Sequence, residues 1–177
     1  MSEMQAFYSV LNPLTNQPEC RTCRLCEENV GLVYMLGDEA SKAQQHGLPV
    51  LTTSGGVQYL GRTAAGWCSS FNPDTNTCSI YSDRPLCCRI YPLDLMKLGG
   101  EVWWVIHDEC PIAQRFRHER RLSILAAMTA AMEAVMSDEQ LEKWLTQDKT
   151  SQGIEAFSVD EAKVFKLRRY GEPTAFR

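Results

Sequence analysis

The sequence predicts an α+β protein: a small, irregular, cysteine-rich core with short β-hairpins, followed by a helical C-terminal part packed on it. Three observations predict it. All eight cysteines lie between Cys20 and Cys110. The apolar stretches of that first part are short and are broken by Gly, Pro, Asn and Asp, the residues of tight turns. From Ile112 onward apolar residues recur at spacings of three and four, the period of a helix face. The chain thus divides into a cysteine-bearing region, 1–111, and a helical region, 112–177.

The elements follow in order. Residues 1–19 carry Pro13 and Pro18 and read as an extended arm, because Pro18 disfavours a helix running into Cys20. Cys20, Cys23 and Cys26 form a tight C-x2-C-x2-C loop. The apolar run Val30 to Leu36 reads as a buried strand. Asp38 then caps a short helix through Gln45, with Gly47 as its stop. Residues 48–66 are rich in Gly, Thr and Ser. A nucleotide-binding loop there lacks the Gly-Lys-Ser/Thr and G-x-G-x-x-G orders, so a hairpin or turn-rich loop is the better reading. Asn72-Pro73-Asp74 marks a turn that sets Cys68 and Cys78 on neighbouring limbs of a second hairpin. Leu93 to Leu98 and Val102 to Ile106 flank Gly99-Gly100, the strongest hairpin signal in the chain.

The helical region opens with one helix over about 112–136, its face formed by Leu122, Leu125, Thr129, Met132 and Met136. Ser137 with Gln140 makes a capping box for a helix containing Leu141, Trp144 and Leu145. Ser158 with Glu161 opens a third helix, through about Tyr170 and ending at Gly171.

Composition excludes several classes. A net charge of −4 lacks the basic footprint of a general nucleic-acid binder. No stretch approaches the ~18 consecutive apolar residues that span a bilayer. The N-terminus, Met1-Ser2-Glu3-Met4-Gln5, has no secretory signature, so a cytoplasmic location is expected, where thiols stay reduced. In that compartment the cysteines read as metal ligands; a secreted disulfide framework is the competing reading.

Thiolates are soft anionic donors that suit zinc and iron–sulfur clusters, not calcium or magnesium. The triplet at Cys20, Cys23 and Cys26 matches the run that holds corners of a [4Fe–4S] cluster in ferredoxins, where a Cys-Pro completes the set; here Cys110-Pro111 is remote in sequence. All eight thiols, Cys20, Cys23, Cys26, Cys68, Cys78, Cys87, Cys88 and Cys110, are metal-ligand candidates, enough for one or two four-thiolate sites. Cys20, Cys23, Cys26, Cys88 and Cys110 lead as cluster ligands, since adjacent side chains of an extended segment diverge and Cys88 faces the cluster if Cys87 packs inward. Zinc is the alternative metal. His107 reads as a hydrogen-bonding group before a ligand. Arg21, Arg24, Arg84 and Arg89 interleave the thiols and would either offset the charge of a thiolate-bound cluster or lie in solvent.

These residues carry a resemblance. Cys20, Cys23 and Cys26, then Cys68, then Cys78-x-Ile80-Tyr81-x-x-Arg84-Pro85-x-x-Cys88-Arg89-x-Tyr91-Pro92, then Cys110, resemble the CxxCxxCC (YkgJ-type) family of zinc- or iron-chelating proteins over about residues 20–111. The cysteine-rich part of flagellin lysine N-methylase is similar. The resemblance implies a bound metal, an iron–sulfur cluster in first place. One departure stands out: the family motif ends in two adjacent cysteines, and the second of these is Glu27 here, while Cys87 is additional.

Three functions follow. The first is an iron–sulfur protein of the cytosol that passes electrons or serves a partner enzyme as accessory subunit. The second is a protein-methylase-like enzyme, implied by the resemblance alone, with no S-adenosylmethionine loop in view. The third is a zinc-stapled interaction module whose cationic residues, Arg115, Arg117, Arg120 and Arg121 with Lys163, Lys166, Arg168 and Arg169, dock an acidic protein or simply face solvent. A catalytic cysteine ranks last, since no base is paired with one; His46, His107 and His118 show no triad logic.

Overall fold

The computed structural model describes residues 23–29, 33–53, 56–134, 136–146 and 163–173, and has helices beside small antiparallel sheets, the α+β class expected. The described chain divides into two units, the boundary falling between Arg89 and Ile90.

The first unit holds its regular structure in short pieces. Helix α1, Leu25–Asn29, follows Cys23. The segment 33–36 is buried but makes no extended strand: a single antiparallel bridge joins Tyr34 to Tyr59, flanked by the Met35 N–H donating to Gln58 O at 2.9 Å and the Leu60 N–H donating to Val33 O at 2.8 Å. Residues 30–32 of the expected strand lie outside the described residues. Helix α2, Glu39–Gln45, has the expected bounds but a different cap. Asp38 makes no capping hydrogen bond and pairs with Lys42 at 2.9 Å. Glu39 does the fixing instead, accepting from the Leu36 N–H at 2.8 Å and the Leu86 N–H at 2.7 Å. This carboxylate ties the start of α2 to the start of helix α3, Leu86–Ile90.

Hairpins form at both expected places, but Cys68 lies ahead of the second and is bridged to Arg62 instead of sitting on a limb. Strands β1, Val50–Thr52, and β2, Gln58–Leu60, pair antiparallel, with Leu51 opposite Tyr59. Strands β3, Phe71–Asn72, and β4, Thr77–Cys78, pair around the Asn-Pro-Asp turn, where Asn72 Oδ1 accepts from the Asp74 N–H at 2.9 Å. A 3₁₀ turn, Tyr81–Asp83, leads to α3.

The second unit is built on a three-stranded sheet of order β5-β6-β7. Strands β5, Leu93–Leu98, and β6, Glu101–His107, form the expected hairpin, with Leu98 opposite Glu101. Gly99 and Gly100 both take positive φ, 61° and 86°, as a two-residue turn that follows strand twist requires. The third strand overturns an expectation. Val164–Arg169 is not helix but strand β7, paired with β6 from His107–Val164 to Trp103–Arg169 with a bulge between Trp104 and Val105. Val164 and Phe165 suit a pleated surface, and the free edge of β6 supplies partners that an isolated helix would lack. Ser158 and Glu161, the expected cap, lie outside the described residues.

The expected helix over 112–136 is two helices. Helix α4, Pro111–His118, opens with proline, whose missing N–H costs nothing at a first turn. Arg120 then enters the left-handed region at φ 54°, ending the run before helix α5, Leu122–Glu133. The apolar period carries across this break, which is why sequence periodicity alone shows one helix. Helix α6, Asp138–Thr146, has the predicted capping box: the Ser137 N–H donates to Gln140 Oε1 at 3.0 Å, and the Gln140 N–H donates to Ser137 Oγ at 3.2 Å.

Trp104, Ile106, Phe116, Leu125 and Met132 fill the core of this unit. Its polar centre is Glu133, which accepts Arg168 through both oxygens, at 2.8 and 2.9 Å, and Trp104 Nε1 at 2.7 Å. Asp94 makes a second such node, accepting Trp144 Nε1 at 3.2 Å and lying 3.3 Å from His107 Nε2. His107 also stacks on Tyr91, so its role is structural, as the sequence suggests. The cationic residues near the chain's end are engaged locally: Lys163 with Glu109, Arg169 with Glu101, Lys166 over the Trp103 ring. Among the described residues, no helix is long and apolar enough to cross a membrane.

Candidate metal centre

Four thiols of the first unit share one apolar cluster. Cys68 is buried among Val33, Met35, Leu60, Phe71 and Ile80, and Cys78, Cys87 and Cys88 pack against the same group. They arrive on three separate segments. An antiparallel bridge between Arg62 and Cys68 fixes Cys68 ahead of β3. Cys78 sits on β4 opposite Phe71, and Cys87 and Cys88 lie on α3.

Their sulfurs are hydrogen-bonded within the protein. Ser70 Oγ lies 3.1 Å from Cys68 Sγ, and the Cys78 thiol donates to the same hydroxyl at 3.5 Å. The Cys87 thiol donates to Tyr34 O at 3.2 Å, and Cys88 shares a hydrogen bond with Cys87. The adjacent pair does not diverge as expected. The expectation assumed extended chain, whereas in a helix neighbouring side chains are ~100° apart. Both sulfurs are therefore half-buried against one cluster, and nothing in the packing separates Cys88 from Cys87 as the ligand.

Burial pushes the Cys68 thiol up to about 11, with the Glu27 charge adding to the effect and Ser70 opposing it. The hydrogen bond with Cys87, and then burial, hold Cys88 well above its ordinary value. Glu27 belongs to this neighbourhood. Burial raises its carboxyl, against the guanidinium groups of Arg62 and Arg84, and its charge acts on both Cys68 and Cys88. Glu27 follows Cys26 on α1.

The other predicted ligands stand differently. Cys23 and Cys26 are half-buried at the start of α1, and Cys20 lies outside the described residues. Cys110 is buried at the start of α4 in the second unit, its N–H donating to His107 O at 3.2 Å. None of the described cysteines is in a disulfide. Among the described residues, no three His, Cys, Asp or Glu side chains are grouped closely enough to hold a metal ion. The donor chemistry nonetheless fits a thiophilic metal: soft donors, an apolar surround, and cations to offset thiolate charge. Binding would exchange the thiols' hydrogen bonds for metal bonds and release their protons.

Sequence reasoning found the thiols, Glu27 and Arg84, but missed Arg62, Ser70 and Tyr34. Arg62 stands six residues before Cys68 with no motif around it; only the backbone bridge brings the two together. Arg89, read from the sequence as either offsetting cluster charge or lying in solvent, donates to the backbone carbonyls of Arg84, at 2.6 Å, and Ser82.

Free thiols packed against one apolar cluster, on short strands and helices, make the first unit cysteine-rich. Residues 19–111 match the model of the CxxCxxCC family, described as a "putative zinc- or iron-chelating domain", and the chain belongs to that family. No curated protein and no solved structure matches the chain.

Proposed function

We propose that this protein chelates iron as an iron–sulfur cluster, through thiols of its first unit, and works in electron transfer or as an accessory subunit of a partner enzyme. The observation that carries the reading is the convergence of Cys68, Cys78, Cys87 and Cys88 on one apolar cluster, in the unit that also bears Cys23 and Cys26. An apolar surround with few nearby charges is where a cluster's potential is set by its protein. Arg62 and Arg84 supply positive charge at that place. When bound, the cluster would supply one-electron chemistry; the chain's own residues hold it, keep water from it and balance its charge. The methylase reading gains nothing from the fold: Gly56 lies between the paired strands β1 and β2, not between a strand and a helix.

The test is metal analysis on anaerobically purified full-length chain. Iron and acid-labile sulfide in equal amounts, with a visible absorption band and a cluster signal by Mössbauer or electron-paramagnetic spectroscopy, are expected. A colourless protein with stoichiometric zinc would instead make the metal a structural staple.

A further inference from the structure

Two of the thiols on the apolar cluster share one hydroxyl. Ser70 is buried, and its Oγ lies 3.1 Å from Cys68 Sγ and 3.5 Å from Cys78 Sγ. A single oxygen thus separates the two sulfurs, which stand no further apart than those two distances laid end to end. We propose that Cys68 and Cys78 form a thiol oxidation site, which hydrogen peroxide converts to an intramolecular disulfide. The pairing needs no metal and so does not depend on the chelation reading above.

The backbone brings the two residues together. Phe71 pairs with Cys78 across the β3–β4 hairpin, and the Ser79 N–H donates to Ser70 O at 2.8 Å. The Phe71 N–H donates to Cys68 O at 2.9 Å, a turn that carries Cys68 back toward the same rung. The two thiols differ in access. Cys78 is half-buried, whereas Cys68 is 5% exposed. A small oxidant therefore meets Cys78 first, and Cys68 stands behind it as the resolving thiol. The Cys78 sulfur attacks one peroxide oxygen as its thiolate. The O–O bond breaks, Cys78 becomes a sulfenic acid, and the other oxygen leaves as hydroxide and takes up the released proton to become water. The Cys68 sulfur then attacks the Cys78 sulfur: the S–S bond forms, the S–O bond breaks, and the oxygen leaves as a second water with the Cys68 proton. The Ser70 hydroxyl touches both sulfurs and gives that proton a path. Both thiols are oxidised and the peroxide is fully reduced to water. Cys87 and Cys88 are less well prepared to bond. They are neighbours on α3, where successive side chains point ~100° apart, and joining them would distort the helix. The Cys68–Cys78 bond withdraws two thiols from any metal, since the metal ligand is the free thiolate.

The experiment treats the reduced, metal-free full-length chain with equimolar hydrogen peroxide, then blocks the remaining thiols with an alkylating agent. A protease that cuts before aspartate releases Cys68 within residues 38–73 and Cys78 within 74–82, each as the only cysteine of its peptide. Mass spectrometry without reductant should find these two peptides joined, and dithiothreitol should part them. In Cys68→Ser the second step has no partner, so dimedone, a probe for sulfenic acid, should label Cys78 in 74–82 and should label wild type far less. A bond elsewhere in place of this one, within 1–37 or 83–93 or between other peptides, overturns the proposal. So does a wild type whose Cys68 and Cys78 are both alkylated after peroxide. If Cys68→Ser does not fold, the wild-type peptide map decides alone. Under the chelation reading, the oxidised chain should take up less zinc or iron than the reduced chain, and dithiothreitol should restore the uptake. A reduced chain that binds no metal overturns that reading and leaves the disulfide to the peptide map.

Discussion

The two units are held together by different things. In the second, strands of six, seven and six residues share one sheet, and backbone pairing does most of the ordering. In the first, the hairpin strands are two or three residues long, too short to be stable as hairpins alone. There the fixed points are side chains: Glu39 across two amides, Ser70 between two sulfurs, Cys87 on Tyr34 O. The difference teaches where the chain places its chemistry. A sheet ordered by backbone pairing leaves few side chains for a ligand, whereas a unit pinned by polar side chains and thiols can exchange those contacts for metal bonds.

The sharpest way to break this comparison is to attack the second unit at the buried Glu133–Arg168 ion pair. Glu133→Ala strands Arg168, whose side chain is 7% exposed, and removes the partner of Trp104 Nε1. A loss of about 3–5 kcal/mol is expected, read by urea denaturation, with hydrogen exchange rising first in β5, β6 and β7. An equal rise in the β1–β2 and β3–β4 hairpins would mean that the two units share one source of stability.

The next effect belongs to the first unit and to pH. Cys68 has an ordinary value of 9.0 and is held at about 11 in the folded chain. The folded state keeps this proton more tightly, so the stabilisation is complete below pH 9 and is lost as pH rises toward 11. The gap is worth about 3 kcal/mol in the metal-free protein. Thermal melts of metal-free wild type should fall across that window, and those of Cys68→Ser should fall less. An identical fall in both would place the loss elsewhere.

Smaller again is Glu39→Ala, which leaves the Leu36 and Leu86 amides without their acceptor and should cost about 2 kcal/mol by denaturant midpoint. Its exchange signature should appear at α2 and α3 rather than in the long sheet. The smallest is Ser137→Ala, which removes one half of the capping box of α6 and should cost about 1 kcal/mol. Confinement of that loss to α6 would sharpen the picture of a second unit ordered by backbone; a larger one would show that α6 carries more of it.

Local grammar was readable in advance wherever a few neighbouring residues decide the outcome. Gly99-Gly100 between two apolar runs specified the β5–β6 hairpin, Asn72-Pro73-Asp74 the β3–β4 turn, and Ser137 with Gln140 the start of α6. Eight cysteines in the first 110 residues likewise specified a thiol-rich metal binder, because thiolate chemistry resides in the residue type. What tertiary structure decided depends on partners distant in sequence. Val164–Arg169 became a strand because β6 offered an edge, where the Ser158–Glu161 capping box had suggested a helix. The run from Ile112 broke at Arg120, where the backbone turns left-handed while the apolar spacing continues. Cys87 and Cys88 came to share one cluster because their segment is helical. Glu27 and Arg84 act on Cys88, and Arg62 on Glu27, through a placement that no spacing rule encodes, since charge acts through space and not along the chain.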